Sequence, residues 1–216
     1  MSRGTRAGAV PTRADIAASF DEIADEFDAS RSRPWPETIA FARELPPNSR
    51  ILDVGCGGGR NLVYLTERGQ RMVGLDASLR LLRLGAAKVG GTSLALGDAC
   101  ALPFSAAKFD AVHCVAALHH LPSESERVQA AREIARVLRP RGLVLLSVWA
   151  IEQERFKSEA GADVSVPWRQ SDGRIVQRFY HLFRSGEPEE LAAVAGLAVV
   201  RAWREGDNHV LIAAKR

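Results

Sequence analysis

Residues 52–60 read Leu-Asp-Val-Gly-Cys-Gly-Gly-Gly-Arg, where a short apolar stretch runs into a glycine-rich turn and the start of an amphipathic helix. Glycine stands at every second position from Gly55 to Gly59, and Asp53 precedes the first by two residues. The nicotinamide-binding spacing, G-x-G-x-x-G, would require its third glycine at Arg60. Because glycines let a ligand approach the backbone closely, this turn predicts a site for S-adenosylmethionine, with Asp53 holding the methionyl ammonium.

Acidic residues follow the next two predicted strands. Asp76 ends the second strand, 21 residues after Gly55, which is the spacing at which an acid meets ribose hydroxyls. Asp98 follows the third strand, where it can accept from an adenine amino group, although a lone Asp is equally typical of a turn. Ligands of open α/β sheets bind beyond the carboxyl ends of the strands. The predicted cofactor residues are Asp53, Gly55, Gly57, Gly59, Asp76, Asp98, Ala99 and Leu118.

Strands and helices alternate between residues 50 and 149, which is typical of an α/β protein with a parallel sheet covered on both faces. Residues 139–142 read Arg-Pro-Arg-Gly and predict a turn before a strongly apolar fifth strand. After an insertion, two last strands resemble an antiparallel hairpin. The predicted strands are Arg50–Val54, Arg71–Leu75, Thr92–Leu96, Phe109–Val115, Leu143–Trp149, Ala198–Arg204 and His209–Ala214.

Three regions lie outside the alternating strands and helices. We predict a disordered basic arm over residues 1–14, lid helices over 15–45 and a polar, aromatic-bearing insertion on the substrate side over 150–184, within one domain spanning 15–216. Thr12 and Asp15 are placed to cap the first helix. Its apolar face, which we expect to cover the cofactor, consists of Ile16, Phe20, Ile23 and Phe27.

Composition narrows the class of protein. The 216 residues are 46% apolar and 25% charged, with a net charge of +3, which is weak evidence for a nucleic-acid partner. The three cysteines form no C-x-x-C pair, so neither a disulfide framework nor a metal site is predicted. No apolar run reaches transmembrane length. We therefore expect a cytoplasmic protein with no membrane or DNA partner.

The glycine turn and the strand-tip acids resemble the class I S-adenosylmethionine-dependent methyltransferases of the methyltransferase-11 type over about residues 15–150. Several further segments resemble, more narrowly, the tRNA wobble-uridine 5-carboxymethyl methyltransferase family. These segments are Arg31–Pro36, Leu118–His120, Val166–Trp168, Arg178–Glu187 and the pair Asp207-Asn208. The resemblance implies a Rossmann-like, mostly parallel seven-stranded sheet of order 3-2-1-4-5-7-6, with an antiparallel last strand and helices on both faces.

The same resemblance implies an activity and two partners. The activity is methyl esterification of 5-carboxymethyluridine, or a close relative, at wobble position 34 of the tRNA anticodon loop. Members of this family commonly work with a small zinc-containing activator subunit. That subunit would dock on the edge strand Thr92–Leu96, because an edge strand offers unpaired backbone groups.

The chemistry of esterification suggests which side chains act on the acceptor. A carboxylate is already ionised near neutral pH, so the enzyme needs no general base and works by alignment and exclusion of water. Arg31 and Arg184 are candidates to bind the acceptor carboxylate, because guanidinium groups bind carboxylates in bidentate fashion. His119 is a candidate hydrogen-bond donor, while Trp168 and Tyr180 could stack on an extruded uridine.

Other interpretations of these patterns stay open. A methyltransferase for a small carboxylate or a quinone-type metabolite would have the same cofactor half, and a non-catalytic scaffold would keep the cofactor site alone. Trp168 beside a proline could belong to the core, and Arg184 could pair with Glu187 or Glu190 on the surface. His120 reads as structural rather than catalytic.

Overall fold

A seven-stranded sheet with helices on both faces forms the core of the protein, seen in a computed structural model that describes residues 10–159 and 161–216. The strands in chain order are β1 (Arg50–Val54), β2 (Arg71–Asp76), β3 (Ser93–Leu96), β4 (Phe109–Val115), β5 (Leu138–Trp149), β6 (Asp163–Arg169), β7 (Ile175–His181), β8 (Leu197–Glu205) and β9 (Asn208–Lys215). The helices are α1 (Arg13–Ala29), α2 (Pro36–Glu44), α3 (Arg60–Glu67), α4 (Leu79–Ala86), α5 (Glu124–Val137) and α6 (Glu187–Val194).

The spatial order of the sheet is β3-β2-β1-β4-β5-β9-β8, and only β9 runs against its neighbours. Since β8 and β9 are the sixth and seventh strands of this sheet, the order 3-2-1-4-5-7-6 and the antiparallel last strand are confirmed. The carboxyl ends of β1, β2, β3 and β4 therefore meet at one edge, as a ligand site at that edge requires.

Burial on both faces explains why the central strands are almost continuously apolar. In β1, Leu52 packs into one core with α5 and α6, while Ile51 packs into the other with α2 and α3. Asp53 alternates with Leu52 and therefore shares the face of Ile51. Within the described residues, no helix combines the length and the hydropathy needed to cross a bilayer.

A side-chain cap begins the first helix, as the sequence predicts. The Thr12 hydroxyl accepts from the Asp15 amide, and the Asp15 carboxylate accepts from the Thr12 amide at 2.9 Å. Since α1 begins at Arg13, the end of the predicted arm, residues 1–14, belongs to the helix and its cap. Residues 1–9 of that arm lie outside the described residues. Ser123 caps α5 in the same way.

Two segments differ from the sequence prediction. The expected turn at 139–142 lies within β5, where the pairing jumps from Phe109–Leu138 to Ala111–Leu143 and leaves the four residues as a bulge. The insertion 150–184 contains the antiparallel hairpin β6–β7, which was not predicted. This hairpin packs against α1, with Val176 contributing to the same apolar cluster as Phe20 and Ile23.

Candidate active site

A cavity of about 470 Å³ opens at the carboxyl ends of the first four strands. Five of the eight predicted cofactor residues line it, namely Gly55, Gly57, Asp76, Asp98 and Ala99. Helix α1 forms the facing wall with part of its apolar face, including Ile16, Phe20 and Phe27, and His120 lines the cavity from the loop after β4.

The glycine turn has a conformation that side chains rarely adopt. Gly55 has φ +75° and Gly57 has φ +53°, both in the left-handed region. A Cβ added at Gly55 would lie 2.4 Å from the Cβ of Ala117, so this position allows close packing of β1 against the loop after β4. A Cβ at Gly57 would meet nothing within 4 Å. Because Gly57 lines the cavity, its backbone is open to a ligand there.

Asp76 lies at the tip of β2 and anchors the turn. Its carboxylate accepts from the amide of Gly57 at 2.7 Å and from the amide of Ser78 at 2.8 Å. Burial raises the pKa of Asp76 to about 6, and the two amide hydrogen bonds oppose this rise. Asp76 is therefore ionised at neutral pH but close enough to its pKa to take up a proton in mild acid.

Asp98 lies at the tip of β3 and is bound from two sides. One carboxylate oxygen accepts from the amide of Cys100 at 2.8 Å, and the other pairs with Arg13, at the start of α1. Arg13 also pairs with Glu126 at 3.1 Å. A carboxylate oxygen accepts more than one hydrogen bond, so Asp98 can hold both Arg13 and a ligand.

The remaining three predicted cofactor residues do not line the cavity. Gly59 is the residue before α3 with φ +82°, and Leu118 is buried in the core with α5. Asp53 is 1% exposed and lies beneath the turn, where one carboxylate oxygen accepts from His113 at 2.7 Å. Its other oxygen, Oδ2, has no hydrogen-bond partner.

None of the five predicted acceptor residues lines the cavity, and two of them are enclosed by aromatic rings nearby. Tyr180 stacks on Trp149 at 4.0 Å between ring centroids, with 9° between the ring planes. His119 is buried, and its Nδ1 accepts from the Trp149 amide at 3.1 Å. Burial holds the pKa of His119 well below its usual range, so this ring is neutral and its Nε2 carries the hydrogen.

The other three predicted acceptor residues lie apart from one another. Trp168 contacts the Phe27 ring edge-on at 5.6 Å, and the Arg31 guanidinium lies 4.7 Å from the centroid of that same ring. Arg184 is exposed beyond the end of β7, and its amide donates to Glu187. The structure thus brings Arg31 and Trp168 together around Phe27 but leaves Arg184 on the surface.

Arg178 on β7 is a residue of this region that the sequence analysis did not select. It is 5% exposed, and it donates from Nη1 to the Tyr180 hydroxyl at 2.8 Å. Its Nε finds no acceptor, and in the described part of the chain no carboxylate forms an ion pair with it. Burial lowers its pKa, and the positive charges of Arg31 and Arg155 lower it further. Buried charges normally have a partner, so this guanidinium lacks an anion.

Arg31, Arg155 and Arg178, here called the arginine cluster, surround the same group of aromatic rings. Arg155 lies 4.3 Å from the Trp149 centroid and Arg178 lies 5.3 Å from the Tyr180 centroid. None of the three pairs with a carboxylate among residues 10–159 and 161–216. The cluster adjoins the cavity, because the ring of the cavity residue Phe27 lies 4.7 Å from the Arg31 guanidinium and 6.0 Å from that of Arg178.

His120 connects the cavity to the arginine cluster. Its ring meets the Phe20 ring at 4.7 Å and the Tyr180 ring at 4.5 Å, and its Nδ1 donates to the Phe179 carbonyl at 3.0 Å. Burial lowers the pKa of His120 to about 4, so the ring is neutral. Neither histidine of this loop can serve as a positive charge at neutral pH.

Comparison with known sequences identifies relatives. A family described as a methyltransferase domain matches residues 52–146. The tRNA (carboxymethyluridine(34)-5-O)-methyltransferase of Schizosaccharomyces pombe is 32% identical over 219 aligned residues, covering 91% of this chain and 94% of the relative. The protein of that name from Arabidopsis thaliana is 39% identical over 135 residues, covering 62% of this chain and 32% of the relative. This chain thus spans nearly the whole yeast relative and about a third of the plant relative.

Comparison with solved structures supports the fold. The 1,6-didemethyltoxoflavin-N1-methyltransferase of Burkholderia thailandensis, solved with S-adenosylhomocysteine bound, matches with a TM-score of 0.71. The match covers 94% of this chain and 88% of that chain at 22% identity. Such a likeness establishes the architecture and carries no argument about the acceptor.

Proposed function

Because this chain belongs to the family of the tRNA (carboxymethyluridine(34)-5-O)-methyltransferases, within the class I S-adenosylmethionine-dependent methyltransferases, we propose that it methyl-esterifies 5-carboxymethyluridine at tRNA position 34. S-adenosylmethionine supplies the methyl group. One observation carries the choice of acceptor: Arg178 is a buried guanidinium without an anion, and it lies beside the donor cavity.

The residues of the cavity suit this donor. The open backbone at Gly57 leaves room for a ligand against the turn. Asp76 is placed to accept from ribose hydroxyls, while Asp98 and the backbone of Ala99 are placed to bind adenine. The carboxylates of Asp76 and Asp98 also favour a ligand with a positive charge, and the sulfonium group of the donor carries one. Asp53, two residues before the first glycine, is the residue we assign to the donor ammonium.

Donor affinity should fall as the pH drops below about 6. Ribose hydroxyls donate best to an ionised carboxylate, so donor binding and protonation of Asp76 oppose each other, and the dissociation constant should rise by up to about tenfold per pH unit. The Asp76→Asn variant should bind weakly with little pH dependence. Calorimetry with S-adenosylhomocysteine between pH 5 and 7.5 measures this, and a flat wild-type profile would contradict the assignment.

The raised pKa of Asp76 also affects the stability of the folded protein, which should increase in mild acid. The pKa of Asp76 is about 6 in the folded protein and near its ordinary value of 3.8 in the unfolded chain. The folded protein therefore takes up this proton first as the pH falls. The contribution of this group to the free energy of unfolding should rise between about pH 6 and pH 4, a gain that Asp76→Asn should lack.

The arginine cluster supplies the positive charge that a carboxylate acceptor needs. Arg178 already donates to Tyr180, which fixes the direction of its remaining N–H groups. We therefore assign Tyr180 to positioning Arg178, since Trp149 covers one face of its ring. Arg31 and Arg155 add charge from either side, and Trp168 remains a candidate to contact the uridine ring.

The reaction at this site requires no base. The carboxylate oxygen forms the new C–O bond while the bond from sulfur to the methyl carbon breaks, and that electron pair stays on sulfur. An anion and a cation thus become neutral products, so a site that excludes water favours the reaction. The neutral rings of His119 and His120 fit this scheme, because they complete the apolar wall without adding charge.

The anticodon loop would meet exposed basic residues around the cluster. Arg33 lies two residues from Arg31, Lys157 lies two residues from Arg155, and Arg184 lies beyond the end of β7. Such side chains bind phosphates independently of sequence, so binding of tRNA should weaken steeply as salt rises. All three cysteines are free, as is usual in a reducing compartment, and we place the protein in the cytoplasm.

The edge strand β3 is where we place a small activator subunit. In the described part of the chain, β3 pairs with β2 alone and leaves its other side unpaired. An added strand would satisfy the open backbone groups of β3.

Cells lacking this protein provide the test of the whole function. Any activator subunit is still present in them, so a lost modification is due to the absence of this protein. Mass spectrometry of their tRNA nucleosides should show 5-carboxymethyluridine accumulating at position 34 and its methyl ester disappearing. Unchanged wobble nucleosides, with a small methylated carboxylate missing from the metabolite pool instead, would contradict the proposal.

A further inference from the structure

A buried polar relay lies beneath the glycine turn and connects it to α2. His113 on β4 is 0% exposed and joins Asp53 on β1 to Thr38 in the first turn of α2. The Nδ1 of His113 lies 2.7 Å from Oδ1 of Asp53, and its Nε2 lies 2.9 Å from the Thr38 hydroxyl. A second buried polar pair on this face joins Ser147 to Glu37 at 2.6 Å, and most other side chains of the face are apolar. The relay differs from that pair because it joins β1, beneath the glycine turn, to α2 through β4.

The sheet register brings the relay together. Asp53 and His113 are direct neighbours on the parallel strands β1 and β4, so their side chains emerge on the same face. Thr38 reaches this face because Pro36 begins α2 above it. Moving Asp53 or His113 by one position along its strand would turn the side chain to the other face.

The hydrogen positions follow from the partners. Carboxylate oxygens accept hydrogen bonds, so Nδ1 of His113 donates to Asp53. The Thr38 hydroxyl contacts the other ring nitrogen, Nε2. Thr38 thus holds the imidazole in place, and His113 fixes the rotation of the Asp53 carboxylate. With Oδ1 engaged, the buried Oδ2 has no hydrogen-bond partner in the protein.

We propose that Thr38 and His113 are positioning residues that hold Asp53 with Oδ2 ready to accept from the ammonium of the methyl donor. An unpartnered carboxylate oxygen in a core is costly unless a donor group reaches it. Helix α2, which carries Thr38, would thereby control binding of the amino-acid end of the donor. This inference rests on the proposed donor site but not on the identity of the acceptor.

Two ligands separate a positioning role from a general structural one. S-adenosylhomocysteine carries the ammonium group, whereas 5′-methylthioadenosine has the same nucleoside without the amino-acid end. The expected effects are confined to the first ligand. His113→Leu should weaken S-adenosylhomocysteine by about 10–100-fold, the range typical of lost support behind a ligand-binding group, with 5′-methylthioadenosine within about twofold of wild type.

Two milder variants keep the test decisive. His113→Asn retains an N–H near the position of Nδ1, so its affinity for S-adenosylhomocysteine should recover to within about fivefold of wild type. Thr38→Val should lose about threefold, because the imidazole then loses its hydrogen bond at Nε2 and is held less firmly. If His113→Leu does not fold, Thr38→Val and His113→Asn carry the comparison.

Calorimetry without tRNA gives the result. Selective loss of S-adenosylhomocysteine supports the relay. Equal losses for both ligands, or no loss for either, overturn it while leaving the proposed function intact. Failure of the wild-type protein to bind either ligand would overturn the donor site itself, and the relay with it.

Discussion

Replacement of Arg178 by methionine should strongly reduce esterification of tRNA while leaving the affinity for S-adenosylhomocysteine unchanged. Arg178 is the buried member of the arginine cluster, and its charge has no partner in the described protein. Truncating one partner of a buried hydrogen-bonded charge pair costs about 2–5 kcal/mol. That corresponds to a loss of about 30-fold to 5,000-fold in kcat/KM for tRNA. Single-turnover assays with excess enzyme measure the loss directly.

Stability should separate this effect from misfolding. An unpaired buried guanidinium destabilises the folded state, so Arg178→Met should unfold at the same temperature as wild type or higher, despite the loss of the Tyr180 hydrogen bond. Arg174→Met is the matched control. Arg174 directly precedes β7, but it is exposed and pairs with Asp172. Wild-type esterification by Arg178→Met would remove the basis for choosing a carboxylate acceptor.

Adding a methyl group at Gly57 should weaken donor binding. Gly57 and Gly69 both have positive φ, +53° and +78°, and a Cβ at either meets nothing within 4 Å. Alanine at either position should therefore destabilise the protein by about 1–2 kcal/mol through backbone strain. Of these two glycines, Gly57 lines the cavity and Gly69 does not. There the methyl group occupies space that the donor needs, at a further cost of about 1–3 kcal/mol in binding, or about 5–150-fold in affinity.

The pair Gly57→Ala and Gly69→Ala isolates the cavity from the backbone. Thermal unfolding should give similar losses of stability for the two variants, while calorimetry with S-adenosylhomocysteine should find weak binding only for Gly57→Ala. Equal donor affinities for the two variants would mean that the ligand does not lie against this turn.

The positions of the sheet strands could be predicted because their determinants are local, whereas the order of the strands followed from the family resemblance. The glycine turn at 55–59 and the acids at two strand tips mark where strands end, and nearly continuous apolar runs mark strands buried on both faces. The hairpin β6–β7 was harder to predict, because Pro167 interrupts a strand whose outward residues are polar. Its turn nonetheless contains Asp172-Gly173, with Gly173 at φ +87°, a signal of the kind that predicts hairpins.

The candidate site was predictable only in part. Backbone positions such as Gly55 and Gly57 follow from the spacing of the motif, because the conformation itself needs glycine. Arg178 and Arg184 carry the same charge six residues apart, and no pattern of charge tells which is buried. Arg178 is buried because it shares a face of β7 with Tyr180, and alternation along an unpredicted strand could not be used to find it.

In the loop after β4, too, the sequence did not show which residues face the cavity. Leu118 was predicted at the cofactor and is 1% exposed in the core, whereas His120, two residues later, lines the cavity. The loop forms a short 3₁₀ helix over Leu118–His120, which turns successive side chains in different directions. A change of direction within three residues depends on packing against α1 and β7.

Transfer of labelled methyl groups to tRNA tests the central claim most directly. Purified protein, with its activator if one is required, is incubated with methyl-labelled S-adenosylmethionine and tRNA containing 5-carboxymethyluridine, and the product is then treated with mild alkali. We predict that the label is released as methanol, because a methyl ester hydrolyses under these conditions. Label that remains on the tRNA after alkali would contradict esterification and with it the role of the arginine cluster.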